Sequence, residues 1–492
     1  MEEALRELKT SSSLLEMVWA HNRSPCSITS KYSKLGVTNL QNFSFKKLTD
    51  LGDLGISTTE PEGHIAVDSA CSATQLSTGF SSTIEVVGLD HNLKERESIL
   101  EKAKKKGLST GVVSDTTATH ATPASFYAHH YTRHDAPRIA EDFLKTMPDI
   151  LMSGGAKYFY PKGHTKKIYD GFTIKSKRTD HKNLIQSAKN HGYKVLHTKS
   201  DLIKTKEKKI LGLFSNAYMP DGIWYSKNLT NPKRKIPSLL EMTQKSVEIL
   251  SQNKKGYFLM VEAGQIDWAG HRNDAGLLLH EMLRANRTIN WLIEHVQKNP
   301  DTLLIVTADH ETGGFAFGPN AYNPPKAKII NGKIHHPHGN YVPGHIVDSI
   351  YKQNKSLESI LNEYKRSSKK QIPKLMQKLV SKHTGFKITT AEAKKILEKS
   401  PNPYFNGRLD PHIEDFRSFY YDPKLASIAK ISRVISKHQG ISWSTGGHTA
   451  TPVYVFTLGN KKFLKEFSKF TNHVELGKNM QKVLGLWPTF KK

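Results

Sequence analysis

The sequence predicts an α/β fold with a central, mostly parallel β-sheet and helices on both of its faces. Apolar stretches of strand length recur along the chain, and two longer segments carry apolar residues at helical spacing, PSLLEMTQKSVEILSQN (237–253) and LLLHEMLRANRTINWLIEHVQKN (277–299). Helix and strand alternate from 237 to 310, which indicates a parallel sheet. The strand candidates are GVVSDT (111–116), ILMSGG (150–155), KILGLFS (209–215), YFLMVEAG (257–264), TLLIVTADH (302–310) and PVYVFTLG (452–459).

Composition restricts the class of protein. The chain has 492 residues, enough for one large domain with insertions or for two domains, and 37% of them are hydrophobic, as in globular proteins. No apolar run approaches the roughly 20 residues of a membrane span. Cys26 and Cys71 are too few for a disulfide framework. The net charge of +27 favours attraction of anionic substrates, whereas no nucleic-acid-binding motif accompanies it.

Two segments differ from the rest of the chain. Residues 1–37 form an unassigned N-terminal segment that begins acidic and does not resemble a secretory signal. Residues 38–492 are predicted to form the main domain. Within it, residues 320–440 are Lys-rich and polar, which is typical of a surface insertion or cap.

Polar side chains follow several of the apolar strands. TLLIVTADHETGG (302–314) leads into Asp309 and His310, VEAGQIDWAGH (261–271) contains Asp267 and His271, and STGGHTATPVYVF (444–456) contains His448. Each group alone could be a helix cap or a structural histidine. Asp267 and His271 are one helical turn apart, and the five residues together are nitrogen and oxygen donors of the kind that zinc binds. A metal site at the carboxyl edge of the sheet is therefore predicted.

A candidate nucleophile lies upstream, in HIAVDSACSATQLSTG (64–79). The small residues after Ser69 suit a helix packed tightly on a sheet, and Gly79 suits its C-cap. Ser69 would lie at the helix N-terminus, where backbone N–H groups attract anions. An ordinary N-cap serine is the alternative, but a neighbouring metal ion would activate the hydroxyl.

Five segments, in this order, resemble the signature segments of the alkaline phosphatase family. The resemblance covers roughly residues 40–490 and implies a three-layer sandwich and hydrolysis of phosphate monoesters through a phosphoseryl intermediate at a site with two zinc ions and one magnesium ion. The segments are DSACSAT, HATPASFYAHHYTR, VEAGQIDWAGH, TADHETGG and WSTGGHT.

The resemblance also implies a role for each matching residue. Ser69 would be the phosphorylated serine, Arg133 would bind two phosphate oxygens, and Asp68 would orient Arg133. The implied ligands are Asp267, His271 and His448 for the first zinc, Asp309 and His310 for the second zinc, and Thr122 and Glu262 for magnesium. His120 and Trp268 occupy neighbouring positions that vary within the family, and His120 is expected to alter the third site. Cys71 is expected to be a packing residue.

One expected segment is missing from the pattern. The family begins with an apolar strand ending in a Gly-Asp-Gly-Met-Gly-like turn whose Asp bridges two metals, whereas this sequence has no Asp before Asp50. Residues 1–37 are expected to contain no such strand, and Glu16, in a helix-like stretch, is not expected to replace the ligand. A truncated or wrongly started reading frame would explain the difference. Activity is therefore expected to be impaired.

The sequence leaves three hypotheses open. The first is a phosphomonoesterase, the second an inactive member that binds phosphate or polyanions, and the third a relative that cleaves diesters or sulfate esters. The pattern around Ser69 argues against the third, because a sulfatase needs a Cys- or Ser-x-Pro-x-Arg segment. Small phosphorylated substrates, no specific nucleic acid, a homodimer and a periplasmic or secreted location are what the resemblance implies, although no signal peptide is recognised.

Overall fold

The computed structural model describes residues 10–15, 43–318, 326–336, 342, 345–367, 372–401, 408–411 and 423–487. A ten-stranded sheet forms the centre, in the order β20-β2-β19-β10-β1-β9-β3-β4-β8-β7. β19 runs antiparallel to both of its neighbours, and the other neighbouring pairs are parallel. The predicted mostly parallel α/β sheet is therefore confirmed.

The strands of the central sheet include all six sequence candidates. Their bounds are β1 Thr10–Leu15, β2 Asp53–Thr58, β3 Ser109–Thr117, β4 Ile150–Gly154, β7 Lys194–Leu196, β8 Ile210–Leu213, β9 Tyr257–Glu262, β10 Thr302–Val306, β19 Val453–Leu458 and β20 Phe470–Asn472. Short two-stranded ribbons complete the set: β5 Thr165–Tyr169 with β6 Phe172–Lys175, β11 Glu311–Thr312 with β18 His448–Thr449, β12 Phe315–Phe317 with β17 Ile441–Trp443, β13 Lys328–Ile330 with β14 Lys333–His335, and β15 Ser400–Pro401 with β16 Leu409–Asp410.

The α-helices follow the chain in this order: α1 Ser44–Leu51, α2 Ser69–Thr78, α3 Ile99–Lys105, α4 Ala121–Ala124, α5 Ala136–Thr146, α6 Leu184–Asn190, α7 Lys199–Lys204, α8 Gly222–Asn228, α9 Leu239–Leu250, α10 Gln265–His271, α11 Ala275–Lys298, α12 Ile346–Tyr351, α13 Leu357–Ser367, α14 Pro373–Thr384, α15 Thr390–Leu397, α16 Pro423–Gln439, α17 Lys461–Leu464 and α18 His473–Val483. Among the helices that the structure describes, none combines the length and the apolar character needed to cross a bilayer.

Both faces of the sheet are covered, which makes three layers. Alternate residues of one strand enter different apolar clusters: Leu303 and Ile305 of β10 pack on one face, and Leu304 and Val306 on the other. The first cluster includes residues of α2, α3, α5 and α18, and the second includes residues of α1, α9 and α11. The uninterrupted apolar run that predicted a strand buried on both faces is explained by this arrangement.

The expectation that residues 1–37 contain no strand is wrong for Thr10–Leu15. This segment forms β1, which lies between β9 and β10 and is parallel to both, and Leu15 is paired with Glu262. TSSSLL has little of the β-branched character that indicates a strand, so pairing with two neighbours decides its conformation. The helix-like interpretation of the stretch from Ser13 is wrong up to Leu15, and Glu16 lies outside the described residues.

The segment expected to be an insertion contains helices α12–α16. Helices α13–α16 form an apolar cluster of their own, which includes Ile360, Met376, Ile396 and Ile431. The basic residues of α14 lie outside this cluster, with Lys374, Lys378 and Lys382 exposed at a spacing of four. The N-terminus of α13 is joined to the main domain through Asp274, whose carboxylate accepts a hydrogen bond from the Leu357 backbone N–H at 2.6 Å.

Candidate active site at the carboxyl edge of the sheet

The predicted site residues lie where parallel strands end, at one edge of the sheet. β9 ends at Glu262 and leads into α10, which carries Asp267 and His271, and β10 leads to Asp309 and His310. His448 is paired with Thr312 in the ribbon of β11 and β18. Because β9 and β10 both run parallel to β1, their carboxyl ends meet at the same edge.

Asp267, His271 and His448 form one cluster of metal-binding groups, hereafter the α10 cluster. The Nε2 atoms of His271 and His448 are 3.1 Å apart, and they lie 3.4 and 3.6 Å from the two carboxylate oxygens of Asp267. Two ligands bound at about 2.0–2.1 Å to a tetrahedral zinc ion lie about 3.3 Å apart. The distances of the α10 cluster therefore fit a shared cation.

The other ring nitrogen of each histidine faces a backbone carbonyl. His271 Nδ1 lies 2.7 Å from the Gly446 oxygen, and His448 Nδ1 lies 2.6 Å from the Val67 oxygen. A carbonyl only accepts, so each Nδ1 carries the proton and donates it. In the neutral rings both Nε2 lone pairs then point toward each other, where a cation satisfies both.

Ser69, Asp309 and His310 form a second convergent group, hereafter the serine cluster. Ser69 Oγ and Asp309 Oδ2 lie 2.9 and 3.1 Å from the same nitrogen, His310 Nε2, and all three residues are buried. A Ser-His-Asp triad needs the carboxylate on Nδ1 of the histidine, not on the nitrogen that faces the serine. Convergence on one point instead fits a second cation. The His310 ring stacks on His448 with 3.6 Å between centroids, which places the two clusters side by side.

Asp68 joins the serine to the arginine. It is the N-cap of α2 and accepts hydrogen bonds from the backbone N–H groups of Ala70 and Cys71, and Arg133 Nη1 donates to its Oδ2 at 2.9 Å. Burial alone would raise the pKa of the Asp68 carboxyl, but the Arg133 guanidinium and the backbone donors hold it below its usual value. The carboxylate therefore stays charged, and the donors of Arg133 that do not contact it can bind an anion.

Cys71 is buried two residues beyond Ser69, on α2. Burial and then the Asp68 charge raise the pKa of its thiol far above the usual value, so the thiolate that a cysteine nucleophile needs does not form near neutrality. Gly79 ends the helix with a φ of 74°, a left-handed conformation that favours glycine.

Glu262, His120 and Thr122 form the third group, hereafter the β9 cluster. Glu262 Oε1 and His120 Nδ1 are 3.9 Å apart, and both atoms are buried without a hydrogen-bond partner among the described residues. The other carboxylate oxygen of Glu262 accepts hydrogen bonds from the Ser114 and Thr116 hydroxyls. Thr122 is buried in α4, which begins immediately after His120. An oxygen and a nitrogen left unpaired in this way fit a cation.

Several positioning residues were not found by sequence reasoning. The Thr312 hydroxyl donates to Asp267 Oδ1 at 2.5 Å, and Gln265 at the start of α10 donates from its backbone N–H to Asp115 Oδ1 at 3.2 Å. His473 Nε2 contacts the Asp309 carbonyl oxygen at 3.0 Å. Thr312 lies within the segment TADHETGG, so that segment could have indicated a role for it. The long-range contacts of Asp115 and His473 depend on the fold, and no local pattern indicates them.

Trp268 lies between the metal-binding groups and a neighbouring groove. Its ring is 5.5 Å from the His120 ring and 4.9 Å from the Tyr218 ring, edge to face in both cases. These two contacts fix the position of the Trp268 ring, which immediately follows the metal-binding residue Asp267 in the chain.

Comparison with known proteins gives one consistent result. The sequence model described as alkaline phosphatase matches residues 36–486. Alkaline phosphatase 3 of Bacillus subtilis (strain 168) is 29% identical over 432 residues, which are 86% of this chain and 78% of that protein. Alkaline phosphatase 4 of the same organism is 36% identical over 274 residues, 54% of each chain.

Solved structures are similar over nearly the whole chain. A cold-active alkaline phosphatase from Shewanella sp. superimposes with a TM-score of 0.72 at 25% identity, covering 98% of this chain and 100% of that one. The alkaline phosphatase of Thermus thermophilus has a TM-score of 0.76 at 22% identity, with 98% and 92% covered.

Proposed function

Because this chain belongs to the alkaline phosphatase family and is accordingly a phosphatase, we propose that it hydrolyses phosphate monoesters through a phosphoseryl intermediate on Ser69. The convergence of Ser69 Oγ, Asp309 and His310 Nε2 at about hydrogen-bond distance carries this proposal. It supports a metal-assisted serine nucleophile and does not fit a Ser-His-Asp triad.

The residues divide the reaction between them. Ser69 Oγ attacks phosphorus, the new O–P bond forms, and the ester bond to the alcohol breaks. The hydroxyl proton of Ser69 passes to solvent as Oγ attacks, and the alcohol leaves with its oxygen and takes up a proton from solvent. Water then attacks phosphorus, and the P–Oγ bond breaks to release phosphate and restore the serine. Arg133, held by Asp68, binds phosphate oxygens whose negative charge is retained throughout.

The proposed metals are two zinc ions and one magnesium ion. Asp267, His271 and His448 would hold the first zinc, and Asp309 and His310 the second. Thr122 and Glu262 would hold the magnesium ion, to which His120 adds a neighbouring nitrogen. When bound, the zinc ions would supply Lewis-acid stabilisation of charge on the entering and leaving oxygens.

Replacement of the nucleophile tests the proposal. Ser69→Ala is expected to reduce kcat for an aryl phosphate by at least about a thousandfold, because loss of a nucleophile in a cooperating catalytic group is of this order or larger. Acid quenching with a radiolabelled ester should place phosphate on Ser69 of the unmodified enzyme. Ser81→Ala, which removes a hydroxyl that contacts Glu62, is the control and should retain turnover and labelling. Full turnover by Ser69→Ala would refute the proposal.

Impaired turnover is the second part of the proposal. The resemblance implies an Asp that bridges two metals, whereas this sequence has no Asp before Asp50. A carboxylate shared by two cations fixes their separation and offsets their charge, so its absence should impair the second zinc site and the magnesium site most. Grafting an apolar strand that ends in Gly-Asp-Gly-Met-Gly before Val37 is therefore expected to raise kcat at least about tenfold, about 1.4 kcal/mol of barrier. An unchanged or lower kcat in the grafted protein would contradict the impairment.

The resemblance also supports a proposal for assembly and location. We propose that the enzyme acts as a homodimer in the periplasm or outside the cell and takes small phosphorylated substrates. Light scattering during size-exclusion chromatography would measure the mass, and the proposal expects twice the 55.4 kDa of one chain. Cell fractionation of the producing organism would test the location.

A further inference from the structure

A groove of about 830 Å³ lies beside the α10 cluster. It is bounded by the loop after β8 (215–221), by α8, by α10 and by the start of α13. Its volume is in the range of small-molecule sites, about 300–1,000 Å³. The groove is thus large enough for a leaving group several times the size of glycerol.

Helix α10 separates the groove from the metal ligands and also joins them. Successive residues of an α-helix are rotated by about 100°, so Gln265, Trp268 and Arg272 share one side and Asp267 and His271 occupy the adjacent side. The first three line the groove. Trp268 stands at the border, since it follows Asp267 and its ring contacts that of His120.

The lining combines aromatic faces with amide groups. Tyr218 is 49% exposed and contacts the half-buried Trp268 edge to face, and Trp224 adds a third ring. Asn228 and Asn231 belong to the same lining. Asn228 Nδ2 donates to the Trp224 carbonyl oxygen and Asn231 Nδ2 to Asn228 Oδ1, and each amide retains a second N–H for a ligand. These groups offer stacking surfaces and hydrogen-bonding edges within one groove.

The cations of the groove are not equally available. Arg272 is fixed by Glu358 at 2.8 Å and by the Trp268 carbonyl oxygen at 3.0 Å. Lys233 and Lys235 are exposed and form no ion pair within the part of the chain that the structure describes. They give the outer part of the groove a positive charge that attracts anionic esters.

We propose that this groove binds the nucleoside half of nucleoside monophosphates and thereby selects substrates with a nucleoside leaving group. The inference rests on the proposed phosphomonoesterase function, because the phosphate would be held by Arg133 and attacked by Ser69. A nucleobase has a flat face that can stack on the exposed Tyr218 ring, and it has polar edges for the asparagine amides. Glycerol has no ring, and a hexose has no aromatic face.

Kinetics of the full-length, metal-loaded enzyme test the selection. Tyr218→Ala is expected to raise KM for adenosine 5′-monophosphate about tenfold, while kcat and the KM for glycerol 2-phosphate and glucose 6-phosphate change less than twofold. Phe470→Ala removes an exposed ring from β20, outside the groove, and should change none of these values. An equal rise of KM for all three esters, or a wild-type preference for the hexose phosphate, would overturn the proposal.

A binding measurement separates this inference from the proposed function. Adenosine, which has no phosphate, is titrated into the unmodified protein by calorimetry and is expected to bind, with at least fivefold weaker affinity in Tyr218→Ala. Adenosine binding without phosphatase activity would support the groove and refute the function. Phosphatase activity without adenosine binding would support the function and refute the groove.

Discussion

The carboxyl edge of the sheet and the helices α13–α16 differ in the side chains that they bury. The edge buries Ser69, Glu262, Asp267, Asp309 and His310, each at most 4% exposed. Helices α13–α16 bury mainly apolar residues and expose most of their lysines. Buried carboxylates and imidazoles are unfavourable without a partner charge, whereas an apolar cluster is stable by itself. The stability and activity of the edge should therefore depend on bound metal ions, whereas the stability of α13–α16 should not.

The largest expected effect is the loss of zinc and activity when a metal-binding residue of the edge is replaced. His271→Ala removes one nitrogen of the α10 cluster, so the protein should lose bound zinc and at least about a hundredfold in kcat/KM. His383→Ala is the matched control, because His383 is a buried histidine of α14 whose ring contacts Asn354. Elemental analysis and kinetics on both variants provide the measurement. Full zinc content in His271→Ala would contradict the assignment.

The converse change removes a buried apolar side chain from α13–α16. Met376 is fully buried in the apolar cluster of these helices, and Met376→Ala should lower the unfolding free energy of this region by about 2–5 kcal/mol. Zinc content and kcat should remain within twofold of the unmodified protein. Urea denaturation, with hydrogen exchange of the α13–α16 backbone amides as the probe, measures the change in unfolding free energy. Loss of zinc in this variant would show that the regions are not energetically separate.

The contact between the two regions at Asp274 can be tested through the pH dependence of the unfolding free energy. Burial, opposed by hydrogen bonds from Leu357, Leu277 and Gln353, raises the pKa of its carboxyl from 3.8 to about 6. The folded state therefore holds this proton more tightly than the unfolded chain. The contribution to unfolding free energy falls as pH rises from about 4 to about 6, by up to about 3 kcal/mol, and is constant above that range.

Asp274→Asn cannot titrate at this position, so its unfolding free energy should lack this decline between pH 4 and 6. Denaturant titrations at half-unit pH intervals compare the two proteins. Asp170→Asn, whose carboxylate is exposed in the turn between β5 and β6, is the control. Identical slopes for Asp274→Asn and the unmodified protein would contradict the expected role.

The smallest effect concerns a contact behind a metal ligand. Thr312→Val keeps the shape of the side chain and removes the hydroxyl that donates to Asp267 Oδ1, so zinc affinity should fall about 10- to 100-fold. Thr312→Ser retains the hydroxyl and should restore most of the affinity. A competitive chelator titration measures both. Equal affinities in all three proteins would show that the contact does not orient Asp267.

The fold and the residues at the carboxyl edge of the sheet could be predicted from the sequence, whereas the residues that hold them in position could not. β9 and β10 could be predicted because both of their faces are apolar, and Asp267 and His271 because helical spacing places them together. β1 could not be predicted, since TSSSLL has weak strand preference and its conformation depends on β9 and β10. The contact of His473 with Asp309 joins residues 164 positions apart, so no local pattern indicates it.

Zinc titration of the metal-free protein tests the central claim most directly. The enzyme is stripped with a chelator, and bound zinc, melting temperature and turnover of an aryl phosphate are followed together as zinc and magnesium are returned. We expect the melting temperature to fall on stripping and to recover with zinc, and turnover to rise as about two zinc ions bind per chain. Full turnover and an unchanged melting temperature in the metal-free protein would contradict the account.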